Sequence, residues 1–259
     1  MIGVYRELEG SMRLAAHVLR RFWVLKLPPV AEEFLRQVWF TGASATRTIV
    51  VRGALIGTLI IAYVIEVLNA DVSLAVKMLV WVVLREIGPL IAAVLVIQRS
   101  GTAVATELAL MKISGEVASQ RRMRIDAHDL LVVPRVAGIA LANAALTVYV
   151  QFIAVGGGMV LSSLTIDASL GEMAENFFLL ASPLDIVYSV AKSLLFGAAI
   201  GVIACWYGLN PPGNSINAVP KAAISAVTQS TLAVMLLNIV FAYLVYGSAL
   251  FGLFTAPVR

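Results

Sequence analysis

Five long apolar runs constrain this chain more than any other feature. They cover roughly residues 49–68, 76–98, 136–160, 184–207 and 222–254, and charges within them are few. Twenty helical residues rise about 30 Å, the thickness of the hydrocarbon core of a bilayer. The last run is longer and spans with tilt or with an extra terminal turn. Inside lipid every backbone N–H and C=O has to be paired, which leaves helices and closed barrels, and runs of this length select helices. The expected fold is therefore an all-α membrane protein with about five transmembrane helices, not a soluble enzyme.

Composition agrees. Of the 259 residues, 60% are hydrophobic and 13% charged, and the mean hydropathy is +0.92. A soluble domain carries about 25% charged and about 45–50% apolar residues, so the excess here has to face lipid. The net charge of +4 fits cytoplasmic Lys and Arg meeting anionic headgroups, and no nucleic-acid role is read from it. The single Cys205 excludes an internal disulfide and reads as a small buried hydrophobe. The two histidines, His17 and His128, are too few and too separated in sequence for a metal site, so none is expected.

The first 47 residues form a separate N-terminal region. Val4 to Leu27 alternates Arg6, Arg13, Arg20, Arg21 and Lys26 with Leu8, Leu14, Val18, Leu19, Phe22 and Trp23. That pattern predicts an amphipathic helix lying in the membrane interface. Pro28-Pro29 breaks it, and a second short amphipathic piece follows with Phe34, Leu35, Val38 and Trp39. There is no short apolar core followed by a cleavage site, so no signal peptide is expected. Residues 48–259 read as the five-span domain.

Orientation follows from the basic residues. Arg99, Lys112, Arg121, Arg122, Arg124 and Arg135 fall between the second and third runs, whereas 136–191 contains no Lys or Arg. The positive-inside rule puts segment 99–135 and the N-terminus in the cytoplasm. The acidic loop with Asp167, Glu172 and Glu175 then faces outward, and five spans put the C-terminus outside.

A charge at membrane depth costs at least about 2.5–3.5 kcal/mol on insertion scales, so each one needs a reason. Arg85 and Glu86 lie in the second run and Lys192 in the fourth. They either line a path for a charged headgroup or tie two helices together as ion pairs. Asn238 in the fifth run either joins them or makes an interhelical hydrogen bond. Gly88-Pro89 predicts a kink and a candidate hinge, because proline removes a backbone donor. In segment 99–135, Gly101, Ala103 and Ala105 allow close helix approach. Its Glu107, Met111, Glu116, Met123 and Asp126 form a candidate docking face for a soluble partner. No G-x-x-x-x-G-K-[ST] phosphate loop and no Ser-His-Asp set occurs, so this chain is not expected to hydrolyse ATP.

The run Leu84-Arg85-Glu86-Ile87-Gly88-Pro89-Leu90 resembles the signature of the MlaE/YrbE permease family. So does the pattern Arg99-x-Gly101, Glu107-Leu108, Met111, Glu116, Met123, Asp126 and Pro134-Arg135. Arg36-Gln37, Lys192-Ser193, Gly208, 222–230 and Asn238 extend it over nearly all the chain after the first thirty residues. The chain departs from the pattern at Val117 after Glu116, at Ala127 after Asp126, and in a last loop carrying Pro211, Pro212 and Pro220.

The resemblance implies a permease in the bacterial inner membrane, working as a dimer, with homodimer the expected form. It implies a cytoplasmic ABC ATPase dimer that binds the ATP and Mg²⁺, leaving this chain without a cofactor. It implies an Mce-domain lipid-binding partner outside, admits a small cytoplasmic regulatory subunit, and points to phospholipid as substrate. By the same resemblance Arg85, Glu86 and Lys192 line the lipid cavity, and 107–126 meets the ATPase. Two other classes stay open from the residues alone. One is an ion-coupled secondary transporter using Glu86, and the other a non-transporting scaffold of an envelope complex.

Overall fold

A computed structural model describes residues 2–44, 46–48, 51–53, 55, 59, 63, 77, 79–123, 126–165 and 169–255. Among these there is no strand. Helix α1 spans Ile2–Arg20 and is followed by a tight turn, Phe22–Lys26. Helix α2 spans Pro28–Val38. It opens with proline in its first turn, where a missing N–H costs nothing. It runs on as a π-helical turn, Trp39–Ala43. Most of the first expected span, 49–68, lies outside the described residues. Within it Gly53 packs so closely that a Cβ there would stand 2.8 Å from Val150 Cγ2.

Helix α3 covers 79–113 and changes character along its length. Leu79–Ile87 is π-helical, Gly88–Val96 α-helical, Ile97–Gly101 π-helical again, and Thr102–Ile113 α-helical. The short α4 is Glu116–Arg122. A π-turn, His128–Val132, leads into α5, Val133–Thr165. Helix α6 is Leu170–Leu180, α7 is Pro183–Leu209 and α8 is Ala218–Thr255. The starts of α6 and α7 carry capping boxes, Ser169 with Glu172 and Ser182 with Asp185, which satisfy otherwise orphaned N–H groups. Among the described residues four helices are long and apolar enough to cross a membrane: Val80–Ile113, His128–Val160, Pro183–Leu209 and Ala218–Val245.

The second span was expected to end near Gln98, with a weakly helical segment beyond it. Instead α3 continues unbroken to Ile113. A change in polarity marks where lipid ends, but a helix stops only where the backbone needs another conformation. That point is Gly115, at φ 85°. Helices of 33 and 34 residues are about 50 Å long against about 30 Å of hydrocarbon, so α3 and α5 project well beyond it.

Helix α7 is the central element, packed against α5, α8 and α3. Its glycines explain the closeness. A Cβ at Gly197 would stand 2.7 Å from Ala140 Cα, and one at Gly201 2.8 Å from Val136 Cα, both backbone atoms of α5. This is the small-xxx-small packing that lets helix backbones approach in a membrane. Gly208 meets α3 the same way, 2.8 Å from Leu108 Cβ. Phe196, Ile200, Ala204 and Cys205 are fully buried in the resulting core with Leu108, Ile139 and Val96. Helix α8 is the least covered of the four candidate spans.

Candidate functional site

Arg85 and Glu86 are neighbours in sequence but pair with different residues of α7. Arg85 Nε donates to Asp185 Oδ1 at 2.8 Å, and the guanidinium stands 5.6 Å from the Trp81 ring centroid. Lys192 Nζ donates to Glu86 Oε2 at 2.7 Å and to the Arg85 carbonyl at 3.1 Å. It lies between the rings of Tyr188 and Phe196, at 5.7 and 5.9 Å. Asp185 and Lys192 are seven residues apart, two turns on one face of α7, so the two ion pairs bind α3 to α7 side by side. Lys192 is fully enclosed, and Glu86 is 24% exposed. Oε1 of Glu86 is buried without a hydrogen-bond partner among the described residues.

The proline explains part of this arrangement. Pro89 has no N–H to offer a carbonyl four or five residues earlier, which means Arg85 or Leu84. Both carbonyls are met by side chains instead. Lys192 takes that of Arg85, and Gln151 Nε2 donates to that of Leu84 at 2.7 Å. Gly88 makes room for this, since a Cβ there would stand 2.5 Å from Gln151 Cγ. At Gly88 the helix passes from π to α hydrogen bonding.

Gln151 belongs to a polar seam that the sequence reading missed. Asn143, Thr147 and Gln151 recur every four residues along α5, the spacing of a single helix face. Asn143 Nδ2 donates to Ser193 O and Oγ, both at 2.8 Å. Thr147 Oγ1 shares a 2.6 Å bond with Ser193 Oγ, and Gln151 also bonds Ser189. The absence of charge in 136–160 hid this periodicity, although three amide and hydroxyl side chains at i, i+4 and i+8 in an apolar run were a signal. Asp185 was missed because it stands at the edge of its run. Asn238 is half-buried, and its Oδ1 has no hydrogen-bond partner among the described residues.

Segment 99–135 does not present its five expected contact residues alike. Glu107 accepts from Arg135 Nη2 at 2.9 Å. Arg135 is 1% exposed, and it also meets Glu33 of α2 at 3.2 Å and donates to the Leu131 carbonyl at 3.0 Å. Glu107 is thus tied into a network joining α2, α3 and α5. Met111 is half-buried against the core. Glu116, Met123 and Asp126 are exposed, with Glu116 accepting from Ser114 Oγ at 3.0 Å.

The two histidines, distant in sequence, are brought together, which corrects the expectation that they are too separated for a shared site. Their ring centroids are 5.8 Å apart, edge to face. His17 Nε2 lies 2.9 Å from Asp129 Oδ1, and Arg21 lies 3.5 Å from Asp129 Oδ2. Ligand atoms of His17, Asp126 and Asp129 all fall within 4.8 Å of one another. Folding α1 back on the base of α5 closes the 112-residue gap, a tertiary event with no local signal.

Residues 34–244 match the family described as Permease MlaE, a stretch that takes in both ion pairs, the polar seam and the Arg135–Glu107 pair. A probable ABC transporter permease protein of Synechocystis is 32% identical over 167 residues, 62% of this chain and 61% of that protein. The chloroplastic protein trigalactosyldiacylglycerol 1 of Arabidopsis thaliana is 30% identical over 165 residues, 64% of this chain and 47% of that protein. A probable ABC transporter permease protein of Porphyra purpurea is 22% identical over 236 residues, 86% of this chain and 85% of that protein. The match spans about half to three-fifths of the length of the first two relatives. Four membrane-length apolar helices and the profile match agree: this is a multi-pass membrane protein, and it belongs to the MlaE permease family.

Proposed function

We propose that this chain is the transmembrane permease subunit of an ATP-driven ABC transporter. It moves a phospholipid or a related hydrophobic molecule between a bacterial inner membrane and the outer envelope. The observation that carries the reading is the pair of ion bridges Arg85–Asp185 and Lys192–Glu86 between two apolar helices. An interhelical hydrogen bond in a bilayer averages about 0.6 kcal/mol, whereas inserting one such charge costs about 2.5–3.5 kcal/mol. Four charges are thus a costly way to fasten two helices that Gly197, Gly201 and the serine seam already hold to their neighbours. Two relatives are named as ABC transporter permeases and one for a galactolipid, which supports the reaction class and a lipid as the general kind of substrate.

In this reading each bridge holds a cation neutral until an anionic headgroup arrives. The phosphate then takes the place of a carboxylate, bidentately at Arg85 and as a point contact at Lys192. The displaced Glu86 and Asp185 compete for the cations and so let the lipid leave. Asn238 contributes its free carbonyl to the same path, and Gly88-Pro89 is the hinge. The chain works as a dimer, with homodimer the simplest form. Its N-terminus and 99–135 are cytoplasmic, α1 lies in the interface, the C-terminus is external, and Glu116, Met123 and Asp126 meet the ATPase dimer. An Mce-domain protein receives or delivers lipid on the outer side, and a small regulatory subunit is a further partner.

One observation favours a second reading, an ion-coupled carrier. The Oε1 of Glu86, unpartnered among the described residues, offers a cation or proton site inside the helices. Purification of the tagged chain from its native membrane, followed by reconstitution, separates the two. The ABC reading expects an ATPase subunit to co-purify and lipid transfer to require ATP hydrolysis. Transfer driven by an ion gradient, by the chain alone and without ATP, overturns it. Topology is tested by Ser119→Cys in a Cys205→Ser background. Ser119 is exposed on α4, so a membrane-impermeant thiol reagent should label it only after the cells are opened.

A further inference from the structure

We propose that His17, Asp126 and Asp129 form a binding site for a divalent transition-metal cation of the Zn²⁺ class. The cation would clip α1 to the base of α5. The three side chains come from separate places, α1, the stretch after α4 and the π-turn before α5, yet their ligand atoms lie within 4.8 Å of one another. Zinc–nitrogen and zinc–oxygen bonds of about 2.0–2.2 Å put tetrahedral ligand atoms roughly 3.4 Å apart. His17 Nε2 and Asp129 Oδ1 are 2.9 Å apart, so a metal replacing the proton between them needs only a small opening on one side and closing on the other.

The donor set fits this class of cation. Imidazole with carboxylates suits zinc and its neighbours, whereas Mg²⁺ and Ca²⁺ prefer all-oxygen shells. Arg21 approaches Asp129 Oδ2 at 3.5 Å, leaving Oδ1 for the metal and fixing that carboxylate as a one-oxygen ligand. Asp126 uses Oδ1 to accept the His128 N–H at 2.9 Å, which holds it in place while its second oxygen stays available. This is the outer-shell support that metal-binding carboxylates need.

A second observation points to a ligand here. His17 and His128, though neither aspartate, line an open pocket of about 480 Å³ that also takes in Glu9 and Arg13. His128 Nδ1 is buried beside it without a hydrogen-bond partner among the described residues. His128 stands edge-on to His17 and is the candidate fourth ligand after a ring rotation; otherwise water enters from the exposed Asp126 side.

The test uses the purified full-length chain in detergent after EDTA treatment, titrated calorimetrically with Zn²⁺ and followed with Co²⁺ as a spectroscopic probe. One equivalent of Zn²⁺ per chain should bind, raise the thermal midpoint by linkage, and compete with a visible Co²⁺ band. His17→Gln and Asp126→Asn should each weaken binding by at least about tenfold. Asp126 is exposed, so Asp126→Asn should melt like the parent without metal, which keeps the result readable if His17→Gln folds poorly. Absence of saturable binding, parental affinity in Asp126→Asn, or equal stabilisation by Mg²⁺ at the same concentration overturns the site.

Discussion

Lys192 and Arg135 are both fully enclosed cations, and their surroundings differ. Arg135, 1% exposed, has two carboxylates, Glu107 and Glu33, and the carbonyl of Leu131. Glu107 is itself 48% exposed, so water and salt reach one side of that network and weaken any change made in it. Lys192 has one carboxylate, a carbonyl whose usual partner position is occupied by proline, and two aromatic rings. Its carboxylate keeps one oxygen unbonded among the described residues. The first arrangement sets two carboxylates against one guanidinium at the end of the bundle, as a structural fastening should, although Arg135 Nε is buried and unbonded among the described residues. The second is sparse and set between apolar helices, and it retains capacity for another ligand.

The largest effect should follow from Lys192→Ala. Removing one member of a buried pair costs about 3–5 kcal/mol, because the remaining charge has no partner. The variant should lose thermal stability in detergent and retain less lipid. The decisive comparison is the double change Lys192→Met with Glu86→Leu, which removes both charges. Stability should then recover most of the loss while ATP-dependent lipid transfer stays low. Full transfer by that double variant makes the bridge purely structural and erases the contrast with Arg135.

Arg135→Ala comes next. It leaves Glu33 and Glu107 facing each other, but both reach solvent, so the expected cost is about 1–3 kcal/mol, read as a lower thermal midpoint that salt partly restores. Glu107→Lys should behave alike, since it opposes the same guanidinium. Glu116→Lys is the sharper probe of ATPase docking. Its side chain is exposed and, among the described residues, bonded only to Ser114, so stability should stay within about 0.5 kcal/mol while ATPase association falls. Equal loss of association in both variants, with equal loss of stability, would remove the distinction between fastening and contact surface.

Much of this molecule was legible in its sequence. Runs at 136–160, 184–207 and 222–254, and 79–98 of the second run, are helices, because an apolar run of this length satisfies its own backbone in lipid only as a helix. Pro28 and Asn210–Asn214 marked real breaks, and Arg85, Glu86 and Lys192 do meet. Pairing was the part that could not be read. Adjacent Arg85 and Glu86 look like partners, yet consecutive helical side chains point about 100° apart, and each finds an acid or base on α7. The end of α3 does not follow from polarity, because a change in polarity is not a helix terminus, and the His17–Asp129 contact depends on where α1 folds back. The Asn143–Thr147–Gln151 face was visible as a period but carried no charge to draw attention to it.

Asn238 offers the smallest effect and the finest discrimination between the two kinds of buried polar group. Its Oδ1 is buried and unbonded among the described residues. An unfilled acceptor alone does not tell the two kinds apart, since Asn143 leaves its Oδ1 unbonded among the described residues while its Nδ2 fastens α5 to α7. Phe241, one turn further along α8, stacks edge-on with Tyr188 and Phe196 at 6.0 and 6.4 Å, the rings that flank Lys192. The Asn238 turn of α8 therefore adjoins the ion-bridge region. Asn238→Leu removes an unsatisfied carbonyl and keeps the volume, so stability should stay level or rise slightly, by less than about 1 kcal/mol. Lipid co-purifying with the chain, measured by mass spectrometry, should fall about two- to fivefold, the loss of one hydrogen bond. A drop in thermal midpoint with unchanged lipid content would instead place Asn238 with Arg135, among the residues that only hold helices together.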